Sequence, residues 1–192
     1  MSARFVAFYH MRALKHIWPA LTEDMAKSVA CALVGSRLDC ANSVLHGAPA
    51  NNIARSQLVQ NALARVVLRS PSVSTTLNLQ QLHWLLVQCR IRFKVATIAY
   101  KAHVSSAPRY LTSLIRRYKP AHPLRSSGAN LLERTRVKTE FGARSFSVAA
   151  PTIWNELPDD CRSATSLHTF RRRLKTHYFA TVFSQSIETC CV

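Results

Sequence analysis

Apolar residues recur at helical spacing along much of this chain, and the breaks fall at prolines, glycines and serine-rich stretches. Ala3 to Ile17 is compatible with a helix, and Pro19 should stop it, because proline bars the preceding residue from helical geometry. Thr22 is placed to cap the next helix, with Glu23 and Asp24 at the positive end of its dipole. Met25, Val29, Leu33, Cys40 and Val44 keep a helical stripe from there, so one long helix is expected to run to a glycine stop at Gly47. Beyond Ala48-Pro49 the periodicity is clearest. Leu58, Val59, Ala62, Leu63, Val66 and Val67 form one apolar face, with Asn61, Arg65 and Arg69 four apart on the other. Ser70 to Asn78, rich in Ser and Thr, reads as a connection between two helical groups.

The second group opens near Leu85 with a helix whose Val87, Ile91, Val95, Ile98 and Ala102 share a face, flanked by Arg90, Lys94 and Lys101. Pro108 is placed to open a short helix through Tyr110, Leu111 and Leu114 to Arg117, and Lys119 to Asn130 reads as an exposed loop. Arg134 to Phe146 alternates in part around Gly142, which suits a short β-hairpin or an irregular segment. Pro151 to Leu157 carries Trp154, and Pro158 ends that element. The last element starts from a Ser166 cap and places Leu167, Phe170, Leu174 and Tyr178 on one face. The expected fold is mainly α, with a helical bundle over 1–69, a basic helical extension over 70–182, and a frayed tail over 183–192.

Charge alters this picture more than composition does. Hydrophobic residues make up 48% of the 192 positions, enough for a folded core. Against 26 Lys and Arg stand only 9 Asp and Glu, a formal charge of +17. Residues 1–87 carry 8 basic and 3 acidic side chains, a net +5, and residues 88–192 carry 18 and 6, a net +12. Such an excess repels itself in a compact chain unless a polyanion shares the surface, so nucleic acid is the leading partner. Arg12, Lys15 and His16 interrupt the early apolar residues, against a signal peptide. No apolar run approaches the ~18 to 20 residues of a membrane span. A soluble intracellular protein without a membrane partner is expected, in a nuclear or cytoplasmic ribonucleoprotein. The cysteines Cys31, Cys40, Cys89, Cys161, Cys190 and Cys191 form no Cys-x-x-Cys pair and have no histidine at zinc-ligand spacing, so reduced and mostly buried thiols are expected.

Candidate chemistry is sparse. Asp159-Asp160 invites comparison with the paired carboxylates that hold two metal ions in polymerases. Leu157-Pro158 precedes the pair, Cys161-Arg162 follows it, and no earlier acidic motif supplies a third ligand, so a polar turn before the last helix is the reading taken. Asp39 is expected to be a partly buried carboxylate paired with an arginine that holds its helix against its neighbours. His83 beside Trp84 reads as a capping or packing residue. No Gly-x-Ser-x-Gly elbow, supported Cys/His pair or glycine-rich phosphate loop is present. What remains is basic surface. Arg116, Arg117 and Lys119, then Arg134, Arg136 and Lys138, then Arg171, Arg172, Arg173 and Lys175 form three groups, interleaved with Tyr110, Tyr118, Phe141 and Phe146. With Arg65, Arg69, Arg90, Lys94 and Lys101 they are the candidate phosphate contacts. Engagement of roughly six phosphates gives a log–log salt slope of about −5. Nothing in these residues selects a base sequence.

The order of short motifs carries a resemblance. Ser36-Arg37-Leu38-Asp39, Asn42-Ser43, Leu45-x-Gly47, Gln60-Asn61-Ala62 with Arg65, and Leu82-His83-Trp84-Leu85 come first. Arg90-Ile91-x-Phe93-Lys94, Tyr100-Lys101-Ala102, Pro108-x-Tyr110-Leu111, Leu124-Arg125-Ser126-Ser127 and Arg134-Thr135-Arg136 continue the series. Phe141-Gly142-x-Arg144-Ser145-Phe146 through Pro151, Trp154-Asn155-x-Leu157-Pro158 and Phe170 to Lys175 close it. Over about residues 3 to 182 this series resembles the region after the palm in reverse transcriptases of LINE-type, non-LTR retrotransposons. The resemblance implies a helical thumb to about Arg69, which would clamp a template–primer duplex, followed by a C-terminal extension. It also implies an RNA-directed DNA polymerase as parent, with an endonuclease and a palm upstream and a divalent metal such as Mg in that palm. The family's catalytic aspartates have no matching positions, so no catalytic residue, metal ligand or cofactor is assigned to this chain. Cys40-Ala41 stands where the family usually has Tyr-Cys, and Leu86 where it has proline, changes that suit a drifting copy. The alternatives are a domesticated nucleic-acid-binding module or a translated relic without function.

Overall fold

A computed structural model describes residues 3–70, 75–106, 108–119 and 130–183, with backbone only for residues 3–5. The chain is mainly α, and among the described residues no strand forms. It divides into two compact units, Met1–Arg90 and Ile91–Val192.

In the first unit, α1 spans Ala3–Ile17, and the chain turns through a short 3-10 segment, Trp18–Ala20, in which Pro19 falls at the start. Thr22 caps α2, Glu23–Ala30, by accepting a hydrogen bond from the Met25 amide at 3.3 Å. The helix then widens to π geometry over Cys31–Gly35 and closes as α3, Ser36–Asp39.

Two sequence expectations are corrected here. The helix ends at Asp39 rather than Gly47, because Ala41 takes left-handed backbone (φ 52°) and a 3-10 turn, Asn42–Leu45, follows. The large residues of the expected stripe do not form the core: Met25, Leu33 and Val44 are exposed, while Ala26, Ala30 and Val34, one position along, are buried. Small side chains allow closer approach of helix backbones, so the packed seam here is the alanine one.

Helix α4 runs Ala50–Leu68 and buries Val59, Gln60, Leu63, Ala64 and Val67. Its apolar face is therefore rotated from the expected one, with Leu58 exposed. The rotation brings in Gln60, whose amide donates to the Leu85 carbonyl at 2.8 Å. One turn earlier, the Gln57 side-chain oxygen accepts from the Val87 amide at 2.9 Å. These bonds, together with α5 (Thr75–Gln81) packed on α4, place residues up to Arg90 in the first unit. The sequence places the division between residues 69 and 70, on the Ser- and Thr-rich connection, and the contacts divide the chain later, close to the charge shift at residue 88.

The boundary between the units falls inside α6, Val87–Val104. In the second unit, Ile91, Val95, Ala96, Ala99, Tyr100 and Ala102 of α6 are buried. Helix α7 is a single turn, Arg109–Thr112, and does not reach Arg117 as expected, because Arg117 instead bridges to Leu132 in antiparallel sense. The Tyr118 amide donates to the Leu131 carbonyl at 3.0 Å, and the Glu133 amide to Arg116 at 2.8 Å.

Of the two readings open for 134–146, the irregular one describes the chain to Thr139. A one-turn α8, Glu140–Ala143, then forms. Thr139 caps it through the Gly142 amide at 3.0 Å, and a Cβ on Gly142 would lie 2.9 Å from that same hydroxyl, so glycine there serves a close approach rather than a hairpin turn.

Helix α9, Phe146–Asn155, continues through Pro151. An interior proline costs roughly 3 kcal/mol, which the burial of Ala149, Ala150, Ile153 and Trp154 along the same helix offsets. A single turn, α10 (Asp159–Arg162), leads to α11, Leu167–Phe183, where Ser166 accepts from the Thr169 amide at 3.1 Å as its cap. Tyr100, Trp154 and Phe170 form the centre of the core, with Tyr100 and Phe170 stacked at 4.5 Å and Trp154 and Phe170 at 5.7 Å.

Phe183, assigned by sequence to the tail, is helical and buried, and 184–192 lie outside the described residues, as does most of the expected loop, 120–129. The expectation of mostly buried thiols is also corrected: Cys31 and Cys40 are exposed, Cys89 is half-buried and only Cys161 of these four is buried. Among the described residues no helix is long and apolar enough to cross a membrane.

Candidate nucleic-acid interface

The side chains that bear on function are mostly those the core leaves outside. Of the fifteen candidate cations, all but Arg65 and Arg90 are exposed. Arg90 is already committed: its guanidinium forms a two-point ion pair with Asp39, with Nε 2.8 Å from Oδ1. Asn42 donates to the same carboxylate oxygen at 3.3 Å. The expected Asp39–arginine pair therefore exists, and its partner lies 51 positions away rather than next to it. Arg90 is a structural clamp more than a free phosphate ligand.

In the second unit, three of the candidate groups take different forms. The backbone pairing of 116–118 with 131–133 sets Arg116, Arg117 and Lys119 beside the segment that leads into Arg134, Arg136 and Lys138. Two groups that are separate in sequence thus adjoin. The segment is held down by side chains that copy backbone bonding: Asn155 accepts from the Leu132 amide at 2.9 Å and donates to the Leu132 carbonyl at 2.8 Å. Trp154 Nε1 donates to the Asn130 backbone carbonyl at 2.8 Å, and Asn130 Nδ2 donates to the Arg162 carbonyl at 3.1 Å. A buried indole thereby fixes the strip from which exposed cations project.

The third group lies on α11. Arg171 sits 5.9 Å from the Phe93 ring centre, and Arg173 donates to the Asp160 carbonyl. Arg172 and Lys175 are exposed on the same helix. Arg172, Arg173, Thr176 and His177 line a recess of about 450 Å³ with Pro158, Asp160 and Cys161. Burial pushes the Cys161 thiol up from its ordinary value, an effect opposed by Arg173 and assisted by Asp160. Burial also raises the Tyr100 phenol, whose hydroxyl donates to the Ala164 carbonyl at 3.0 Å.

His177 is held below its ordinary value of 6.5 by burial first and by the Arg92 guanidinium second. The unfolded chain therefore takes up this proton at higher pH than the folded one. Stability is full above the ordinary value and falls as pH drops through it toward the depressed one. Urea midpoints measured between about pH 7.5 and about pH 5 should decline, and His177→Gln should flatten that decline.

Asp159 and Asp160 occupy the first turn of α10, and Arg162 takes the Asp159 carboxylate in an i,i+3 ion pair. This is the polar turn the sequence indicated. Among the described residues no group of three His, Cys, Asp or Glu side chains is placed to hold a metal ion. His83 sits in left-handed backbone (φ 53°) between α5 and α6, so it marks a turn rather than a helix start.

Of the remaining candidates, Lys94 and Lys101 project from α6, and Arg69 closes α4 in left-handed backbone (φ 49°) with its guanidinium 3.6 Å from the Trp18 ring centre. Sequence reasoning missed Arg12 and Lys15, which line the groove that Arg65 also faces. Their i, i+3 spacing on α1 was the signal available.

No known protein family, curated protein or solved structure matches the chain.

Proposed function

We propose that the chain is a non-catalytic, C-terminal part of a LINE-type reverse transcriptase, which holds RNA or DNA by its phosphates within a nuclear or cytoplasmic ribonucleoprotein. The observation that carries the binding reading is the unneutralised cationic surface. Three carboxylates among the described residues are engaged in ion pairs, with Arg90, Arg92 and Arg162, while thirteen of the fifteen candidate cations stand exposed. Phosphate is the counter-charge such a surface matches, and it is met without base readout.

What supports the family part of the reading is the order of its motifs along the chain, and some of their residues also meet in the fold. Asp39 of the first motif pairs with Arg90 of a later one, Gln60 bonds to Leu85 of the Leu82-His83-Trp84-Leu85 motif, and Asn155 bonds to Leu132 close to Arg134. On this reading the first unit contains a thumb-like helical bundle. No residue carries the polymerase chemistry, and the metal that the parent enzyme uses belongs to its palm.

Two measurements test this. The genomic DNA upstream of the Met1 codon should encode a palm with an aromatic-x-Asp-Asp motif, in the same frame or in one disrupted by mutation, and its absence contradicts the family reading. Purified chain given a primed template, nucleotides and Mg should retain the template without extending the primer. Extension contradicts the non-catalytic reading, and failure to retain any nucleic acid at low salt contradicts the binding reading.

A further inference from the structure

Within the first unit, α1 and α4 leave a groove between them that the exposed-cation surface does not account for. It comprises two adjoining cavities of about 530 and 570 Å³, which share Lys15, Ala62 and Val66. Ala62 and Val66 form its apolar floor. Its cations are Arg12 and Lys15 from α1 with Arg65 from α4 and Arg69 at its end, and no carboxylate among the described residues lines it. Its aromatic wall is Phe8, Tyr9 and Trp18, of which Tyr9 is 71% exposed.

Trp18 is fixed in place: its Nε1 donates to the Val67 carbonyl at 3.1 Å, and the Arg69 guanidinium lies over its ring at 3.6 Å. From Tyr9 to Pro19 the groove follows α1 and the start of the 3-10 segment after it for roughly 15 Å.

We infer that this groove takes an unpaired single strand of nucleic acid, with phosphates on its cations and bases against Tyr9 and the Trp18–Arg69 stack. The inference rests on the nucleic-acid-binding reading and goes beyond it in naming the strand state. A duplex offers a groove only its phosphates, because its base faces are stacked inside, and leaves exposed rings without a role. A single strand offers both phosphates and base faces. Charge selects a polyanion, and the rings with the apolar floor select the one whose bases are free.

The experiment compares wild type with Tyr9→Ala and Lys15→Gln, using a labelled oligothymidine single strand and a duplex of the same length. Both side chains are exposed, and circular dichroism verifies that the helices are intact. Tyr9→Ala should weaken single-strand binding about ten-fold and leave duplex binding within about two-fold, since one stacked base is lost. Lys15→Gln should lower the single-strand salt slope by about one phosphate equivalent. If Tyr9→Ala changes neither ligand, or both equally, the groove is not a single-strand site, while the broader binding reading stands. If wild type retains neither ligand, both readings fall.

Discussion

Trp154→Ala should be the most damaging single substitution in the second unit, costing about 3 to 5 kcal/mol of stability. Three losses coincide at this position. The indole is fully buried, so truncation leaves a cavity among Tyr100, His103 and Phe170. The Trp154–Phe170 stack at 5.7 Å disappears. The Asn130 carbonyl also loses its donor, and that bond helps fix the segment from which Arg134 and its neighbours project. Because natural domains hold only about 5 to 15 kcal/mol in reserve, the variant should unfold at much lower urea. Trp154→Phe, which keeps the ring but not the N–H, should fall between. Urea melts followed by circular dichroism read both, and a midpoint for Trp154→Ala equal to wild type contradicts the placement of Trp154 at the core.

In the first unit the largest expected effect comes from adding atoms. Ala30 is fully buried on α2, whose neighbours are α1 and α4. Ala30→Leu must force these helices apart or push side chains off their rotamers, at about 1 to 3 kcal/mol. Leu33→Ala, at a position 37% exposed, should cost much less. The ranking is opposite to what hydrophobicity alone suggests, and equal costs in urea melts contradict the alanine seam.

That reversal shows how far the fold was legible in the sequence. Periodicity located the helices well: α1, the Thr22 cap, α4 and the Ser166-capped α11 lie where the pattern put them. It did not orient them, because a stripe of large residues and an adjacent stripe of alanines share the same period. Packing chose Ala26 and Ala30, and on α4 it chose a face that includes the polar Gln60. Short elements were less legible still. Pro151 read as a boundary, yet tertiary burial carried α9 through it, and a bridge between Arg117 and Leu132 cannot be seen in either segment alone.

For the candidate interface the balance differs. Exposed cations are visible in composition, and the sequence named most of them. Pairing is not visible: nothing local shows that Asp39 claims Arg90, or that Arg116 and Arg134 lie on adjoining segments. The groove cations Arg12 and Lys15 were overlooked because they become one wall of a groove only when α4 lies against α1. The proposed polymerase origin rests on the order of the motifs alone, while the structure shows that Asp39 with Arg90 and Gln60 with Leu85 hold distant segments of the first unit together.

The central claim is that this chain holds nucleic acid through its phosphates, and the salt dependence of binding tests it most directly. With roughly six phosphates engaged, affinity for duplex should fall about a thousand-fold between about 50 and about 200 mM salt, a log–log slope near −5. Failure to retain duplex at the lower salt, or retention that does not change with salt, contradicts it.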